Sequence, residues 1–312
     1  MVGCNINNIV LRLVTLVSMS TMTLVSCSTV NPGNIKEDQI VAFDTVRFKT
    51  AVQAGILNNK AINEASGMVM SMQNKNAFWT HNDSGDGSKI YLINDKAEYQ
   101  LTCTISDAIN RDWEDIAIWK DPISGKNNIF IADIGDNQAS YPFYTIYMVE
   151  EPSVSLLNDI TISKSNKIKF KYSDGQRDAE SLLSDPVSGD LYIVTKREVN
   201  VSLYKITYPF SYTDTMTAEK VLTMPFSYIV GGDISRDGSE ILLKTYQKIY
   251  YWHRKLGKTI TETLTENPTE IPYNPEPQGE AICWSSDGKS FFTLSEESPF
   301  KIIPVLYRYD KE

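Results

Sequence analysis

The chain is poor in the residues that most often carry metal or thiol chemistry. Its 312 residues include two histidines and four cysteines, with no CxxC pair and no HExxH, GxSxG or P-loop motif. These absences exclude the recognisable zinc, thiol-redox, serine-esterase and nucleotide-binding signatures. Basic residues are also few, 30 Lys and Arg against 39 Asp and Glu, and the net charge of -9 argues against a nucleic-acid partner.

Long stretches of helical periodicity are scarce as well, whereas short apolar runs separated by turns are abundant. Hydrophobic residues make up 42% of the chain, which is enough for a full core, and 17 Tyr and 11 Phe favour strands. Typical turn pairs are Asp174-Gly175, Asp237-Gly238 and Asp287-Gly288. The sequence therefore predicts an all-β protein.

The N-terminal segment has the pattern of an export signal. An apolar run at 13–24 follows Arg12 and is too short to span a membrane, but it has the length of a signal-peptide core. The run ends in LVSC at 24–27, which resembles the lipobox of bacterial lipoproteins. The alternative is an ordinary secretory signal cleaved nearby.

The lipobox resemblance implies that cleavage leaves Cys27 as the first residue, with lipid on its thiol. Residues 1–26 are then the signal peptide and 27–39 a lipidated tether. Ser28 after the cysteine implies a place in the cell envelope, at the outer membrane. Two cysteines remain for the domain, Cys103 and Cys283; we expect buried free thiols, with a disulfide between them as the alternative.

Five stretches of the chain share one plan, at intervals of roughly 50 residues. Each begins with an acidic residue and continues as several short apolar strands separated by turns. Four strands per repeat at this period are typical of a β-propeller. The acids that this alignment places together are Glu64, Glu114, Glu180, Asp233 and Glu280.

The repeat predicts a single β-propeller domain at 40–312, with five blades. The last repeat stops at Glu312, after its third strand, and a strand-like segment at 40–49 is left over at the front. We expect strand 40–49 to complete the last blade and close the ring, since an open ring would expose sheet edges. Six blades is the alternative, because the length would accommodate them.

The aligned acids are predicted to surround one mouth of the channel. In a propeller blade the start of the first strand and the end of the second lie on the same face. Crowded carboxylates repel one another, and a hard cation such as Ca²⁺, which takes oxygen ligands, relieves that repulsion. Two alternatives stay open: an internal ion-pair network with Lys196 and Arg197 or bonds to backbone N–H groups, and a direct catalytic role.

One histidine lies where catalysis at this mouth would need it. His81 ends a second strand, and as a general base it would have Asp83 or Glu114 as its carboxylate partner. The ordinary alternative is a hydrogen-bonding residue at a turn. Lys196 and Arg197 are the basic residues predicted to meet an anionic substrate.

Several segments together resemble a known group of proteins. THNDSGD, INRDWEDIA, IFIADIGDN, YSDGQRDAESLL and LYIVTKRE resemble a group of exported bacterial propellers, distantly similar to the SdiA-regulated, phytase-like esterase and gluconolactonase families. The resemblance covers 64–198 and implies a β-propeller. In gluconolactonase-like propellers a first-strand Glu binds a central divalent metal, and Glu64 matches that position. The family's Asn and Asp ligands have no clear counterpart here.

Two functions of different classes follow from these patterns. The first is a lipid-anchored, monomeric envelope propeller that presents an acidic mouth to a cation, a small ligand, a glycan or a peptide. The second is a divalent-metal-dependent hydrolase of esters, lactones or phosphoesters, with metal-bound water as the nucleophile. The sequence alone leaves both open.

Overall fold

A computed structural model describes residues 46–297 and 301–312, and the predicted signal peptide, tether and Cys27 lie outside this part. The described chain is all-β, with 21 strands and one short helix, α1 (Ile260–Leu264). The strands in chain order are β1 Val52–Ile56, β2 Ala65–Met70, β3 Ala77–Asn82, β4 Lys89–Asn94, β5 Tyr99–Ile105, β6 Trp113–Lys120, β7 Asn127–Asp133, β8 Tyr144–Glu150, β9 Ile160–Ile162, β10 Asn166–Tyr172, β11 Ala179–Ser184, β12 Leu191–Thr195, β13 Ser202–Ile206, β14 Met216–Thr223, β15 Ile229–Ile234, β16 Glu240–Thr245, β17 Ile249–His253, β18 Thr269–Ile271, β19 Gly279–Trp284, β20 Ser290–Ser295 and β21 Val305–Asp310.

The single helix begins with a capping box. Thr259 accepts a hydrogen bond from the backbone of Glu262, whose side chain bonds back to the Thr259 backbone N–H. No helix in the described residues is long and apolar enough to cross a membrane.

The strands form antiparallel meanders. The sheet orders are β2-β3-β4-β5-β9, β6-β7-β8-β10-β14-β13-β12-β11, β15-β16-β17-β18 and β19-β20-β21-β1. The eight-stranded sheet consists of two four-stranded meanders whose outermost strands, β10 and β14, pair in parallel. Consecutive strands thus pair mostly through short turns, as the repeat in the sequence predicts.

The first strands of the meanders make a closed circuit. β2 contacts β6 and β19, β11 contacts β6 and β15, and β15 contacts β19. β2, β11 and β19 are buried along their whole length, because sheets pack against both of their faces. A closed circuit of this kind is typical of a propeller-like or barrel-like all-β fold.

The hydrophobic core lies between neighbouring meanders. One apolar cluster joins Val69 and Trp79 of the first meander to Trp113 and Ile131 of the second. Another joins Leu183 of β11 to residues of β15 and β16. Side chains from both sheets therefore bury each other, which holds the first strands in place.

The strand that pairs with β21 lies later in the chain than we predicted. Of the predicted strand 40–49, residues 40–45 lie outside the described part, and Phe48 makes only an isolated bridge with Lys311. The strand itself is β1, whose Val52 is paired with Arg308. β1 is an exposed edge strand with little apolar alternation, which explains why its sequence gives a weak strand signal.

The two domain cysteines are buried free thiols, as predicted. Cys103 and Cys283 carry no disulfide, and burial raises the pKa of the Cys103 thiol to about 12. Both thiols are therefore protonated and unreactive at neutral pH.

Candidate functional site

Each first strand carries an irregularity close to its start. Its pairing with the second strand shifts register between residues 113 and 115, 179 and 181, 229 and 231, and 279 and 281, and in β2 between 65 and 68. Bulges of this kind re-aim the side chain that they contain. Glu114, Glu180 and Glu280 occupy this position and are all buried; we call them the inner acids.

A second set of acidic residues lies two positions before the bulge. It comprises Glu64, Asp112 and Asp178, and we call these the outer acids. The predicted ring therefore combined the three inner acids with Glu64, which is an outer acid. Asp112 and Asp178 were missed, although Arg-Asp-x-Glu occurs at both 111–114 and 177–180 and is the signal that reveals them.

Three of the predicted metal ligands, Glu64, Asp233 and Glu280, lie outside the clusters that follow. Glu64 is an exposed outer acid just before β2. Asp233 lies three residues beyond Val230, the bulge residue of its strand, and its carboxylate accepts backbone N–H bonds from Ile234 and Trp284, both at 2.8 Å. Asp233 thus joins β15 to β19, the structural alternative considered above.

The inner and outer acids assemble into two groups that share one residue. The first carboxylate group is Asp83, Asp112 and Glu114, and the second is Glu114, Asp178 and Glu180. Within each group, carboxylate oxygens lie within 4.8 Å of one another. Oxygen donors this close are suited to a hard divalent cation, so these buried acidic clusters can hold a metal ion.

Gly135 leaves the space that the first carboxylate group fills. A Cβ at this position would overlap both Glu114 Oε1 and Asp112 Oδ2. Gly135 follows β7, and its N–H donates to the Asp112 carbonyl at 3.2 Å. The absence of a side chain here allows the two carboxylates to approach the loop backbone closely.

The electrostatics of the groups disfavour ionised carboxylates without a counter-charge. Burial raises the pKa of Glu114 well above its usual value, and repulsion from Glu180 and Asp83 adds to the effect. Burial also raises the pKa of Asp83 to about 7 and that of Glu296, nearby, to about 8. A bound cation would reverse these shifts, because it stabilises the ionised forms.

Basic residues neutralise the second carboxylate group in part. Lys196 donates to Glu180 Oε1, while Arg197 Nε donates to Asp178 Oδ2. Glu180 Oε2 is buried and has no hydrogen-bond partner in the described part of the chain. That orphaned oxygen, together with the all-oxygen donor set, fits a cation ligand.

The third inner acid is held by hydroxyl groups. Tyr246 Oη donates to Glu280 Oε1 at 2.6 Å, and Ser66 Oγ donates to Oε2 at 3.2 Å. Lys196 Nζ lies 3.7 Å from the same Oε1. Glu280 therefore lies beside the second carboxylate group but already has its own partners.

His81 has a different environment from the one that a general base needs. Its side chain is fully buried, with Nδ1 2.9 Å from the Asn82 carbonyl and the ring edge-on to Trp113. It packs against Gly67, where a Cβ would clash with Nε2. Burial lowers its pKa to about 4, so the ring is neutral, and its placement supports packing rather than proton transfer.

Known proteins give no further guidance: no family model matches the chain, and a search of curated proteins finds no significant similarity. The geometry and charge of the two carboxylate groups therefore carry the functional argument.

Proposed function

We propose that the protein is a five-bladed, lipid-anchored envelope propeller that binds a divalent cation, Ca²⁺, at its acidic mouth. One observation carries the proposal: buried and half-buried carboxylates cluster in two groups that share the buried Glu114, and burial together with repulsion from Glu180 and Asp83 raises the pKa of Glu114 well above its usual value. Buried charged groups are normally paired or bound to a metal.

The circuit of first strands supports the proposal of five blades. Those strands are β2, β6, β11, β15 and β19, and each leads a meander. β1 supplies the outermost strand of the last meander through its pairing with β21. The first and last strands of the described part of the chain thus pair in one sheet, which is how a propeller protects its edges.

Calcium fits the donors better than transition metals do. The groups offer carboxylate oxygens, whereas zinc and copper favour imidazole and thiolate. Ca²⁺ also takes six to eight oxygen ligands in flexible geometry. The ligands beyond the three carboxylates of one group would come from water and from the ligand bound at the mouth, a small molecule, glycan or peptide.

Calcium binding is tested by stripping the purified protein with chelator and titrating Ca²⁺ in a calorimeter, with Mg²⁺ as the comparison. We expect Ca²⁺ to bind and to raise the melting temperature, whereas Glu114→Gln weakens both effects. Glu64→Gln is the matched control, because Glu64 is exposed and outside both groups. Equal behaviour of wild type and Glu114→Gln would refute the site.

The lipid anchor is tested separately. Cys27→Ala removes the thiol that a lipobox would acylate. We expect the variant to leave the membrane fraction, since a lipid is the only attachment proposed. Membrane retention of a correctly processed Cys27→Ala protein would contradict the anchor and leave the cation site untouched.

The sharing of Glu114 favours a second candidate function. A carboxylate that bridges two metal positions is the arrangement of many two-metal hydrolases, in which the ions hold the attacking and leaving oxygens. Hydrolysis of ester, lactone and phosphoester probes, with and without chelator, tests it. Metal-dependent turnover that Glu114→Gln abolishes would support the hydrolase over the binding module.

A further inference from the structure

The two carboxylate groups differ in the counter-charges that they already possess. In the first carboxylate group, Asp83 Oδ1 accepts the Ser84 N–H, a neutral donor. Arg111 precedes Asp112 in the chain, and its guanidinium lies 3.8 Å from Asp133 Oδ1 and 3.9 Å from the centre of the Tyr141 ring. This group thus makes no ion pair within the described residues.

The second carboxylate group contains two ion pairs. Lys196 bonds to Glu180, and both side chains are almost completely buried, at 8% and 5% exposure. Arg197 bonds to Asp178 Oδ2, while the Asp136 N–H donates to Asp178 Oδ1 at 2.8 Å. Lys196 and Arg197 thus already bond to Glu180 and Asp178, two of the three carboxylates that a second metal ion would use.

Lys196 is also held from its other side. Its Nζ lies 3.7 Å from Glu280 Oε1 and 5.4 Å from the centre of the Tyr246 ring. Glu280 is in turn fixed by the Tyr246 hydroxyl. The ammonium group is therefore confined between Glu180 and Glu280, rather than free to move away into solvent.

We propose that Lys196 is a resident cation that takes the place of a second metal ion, so that the mouth binds one divalent cation, at Asp83, Asp112 and Glu114. This proposal rests on the proposed cation site and assigns its position and stoichiometry. The unpaired Glu180 Oε2 marks the second position as a metal site that the lysine closes.

Removing the lysine charge should open that second position. At separations of a few ångströms, a fixed positive charge strongly repels a divalent cation. We therefore expect the wild type to bind a second cation at least about a hundredfold more weakly than a variant that lacks the lysine charge. Lys196→Met removes the charge and the hydrogen bond. Lys196→Gln removes the charge but keeps a donor for Glu180, which preserves folding if Lys196→Met does not fold. Lys196→Arg retains the charge and is the matched control.

Calcium titration calorimetry on the full-length mature protein separates the outcomes. We expect one Ca²⁺ per chain for wild type and Lys196→Arg, and two for Lys196→Met or Lys196→Gln. Two ions in wild type, or unchanged or lost binding in the neutral variants, would overturn the resident cation while leaving calcium binding by the wild type standing. Binding by the neutral variants alone would overturn the wild-type site but support the resident cation. No binding by any of the proteins would overturn both.

Discussion

Glu114 and Asp115 are consecutive residues of β6, yet their buried carboxylates have opposite surroundings. Asp115 accepts backbone N–H bonds from Ile116 and from Leu182 of the next first strand, both at 2.8 Å. The Glu114 carboxylate faces Asp112, Asp83 and the second carboxylate group instead. The bulge between 113 and 115 lies at Glu114 and separates the structural linkage made by Asp115 from the cation binding that we propose for Glu114.

This division predicts opposite responses to substitution. Asp115→Ala should lower the free energy of unfolding by about 3 kcal/mol, with or without calcium, because it leaves two buried N–H groups without acceptors. Glu114→Gln should raise stability in chelator, since it removes a buried carboxyl group whose ionised form its neighbours repel, and should lose most of the calcium response. In wild type that response is about 2.7 kcal/mol at a hundredfold excess of Ca²⁺ over Kd.

Urea unfolding of both variants, in chelator and in calcium, measures these effects. Asp233→Ala is a second structural comparison, because its carboxylate also bonds two backbone N–H groups. Loss of stability in Glu114→Gln under both conditions would show that Glu114 is structural, and the cation site would be wrong.

Gly135→Ala tests the site without removing a charge. The new methyl group would overlap the ends of the Glu114 and Asp112 side chains, which are flexible enough to move aside. We expect the protein to fold, with a change in stability within about 1 kcal/mol, but to bind calcium at least about tenfold more weakly, because the carboxylates no longer converge.

The comparison for Gly135→Ala is Gly125→Ala, since Gly125 lies in a turn where a Cβ meets no neighbour. Gly125 has φ of 69°, so that substitution strains the backbone and should lower stability without changing calcium affinity. Calcium affinity by calorimetry decides the matter, and full affinity in Gly135→Ala would refute the geometry of the first carboxylate group.

Because folding raises the pKa values of several carboxyl groups, we expect the stability of the folded protein to fall as the pH rises. The folded protein holds a proton on Asp83 up to a pKa of about 7 and on Glu296 up to about 8, whereas unfolded Asp and Glu release theirs near pH 4. The contribution of these groups is therefore fully present below about pH 4 and is lost as pH rises towards 8.

The measurement is best made between about pH 6.5 and 8.5, a range that begins at the pKa of an unperturbed histidine. Above that reference value, His81 is mostly neutral in both states, because burial lowers its folded pKa to about 4. We expect the melting temperature in chelator to fall across this window and to fall less in saturating calcium, which holds the carboxylates ionised. A melting temperature that rises with pH in chelator would contradict the assigned shifts.

Much of the architecture was predictable, because strand-length apolar runs and their period determine an all-β meander. The sequence also identified Glu114 and Glu180 as neighbours. It failed at Asp233, because a GGD segment resembles the acidic starts of the other repeats, while Val230 occupies the bulge. A shift of a few positions changes which side of a strand a residue faces, and only the pairing of the strands settles it.

The roles of individual polar residues were harder to predict, because they depend on packing between meanders. His81 ends a strand beside an Asp-rich turn, a place more often taken by a hydrogen-bonding residue but also suited to a catalytic base. The close approach of Gly67 and Trp113 decides its environment, and these contacts join segments that are distant in sequence. Asp83 was predicted as its partner and instead belongs to the first carboxylate group.

Phe48 anchors the N-terminal segment to the last meander and tests how the sheet is closed. Its ring is buried, with ring centres 5.1 Å from Phe291 and 6.1 Å from Trp284. Phe48→Ala should cost about 3–5 kcal/mol of unfolding free energy, as a large aromatic truncation in a core does. Phe143→Ala, at 39% exposure, is the control and should cost less than about 1 kcal/mol.

Truncation removes Phe48 and β1 together, whereas Phe48→Ala removes the aromatic packing alone. A chain that starts at Thr45 keeps Phe48 and β1 and should remain soluble and cooperative, whereas one that starts at Asn58 leaves β21 as an open edge and should aggregate. Light scattering and thermal unfolding of both proteins measure this. A monomeric, cooperatively folding 58–312 chain would show that closure of the last sheet does not require β1, and the proposed five-bladed ring would then need another partner for β21.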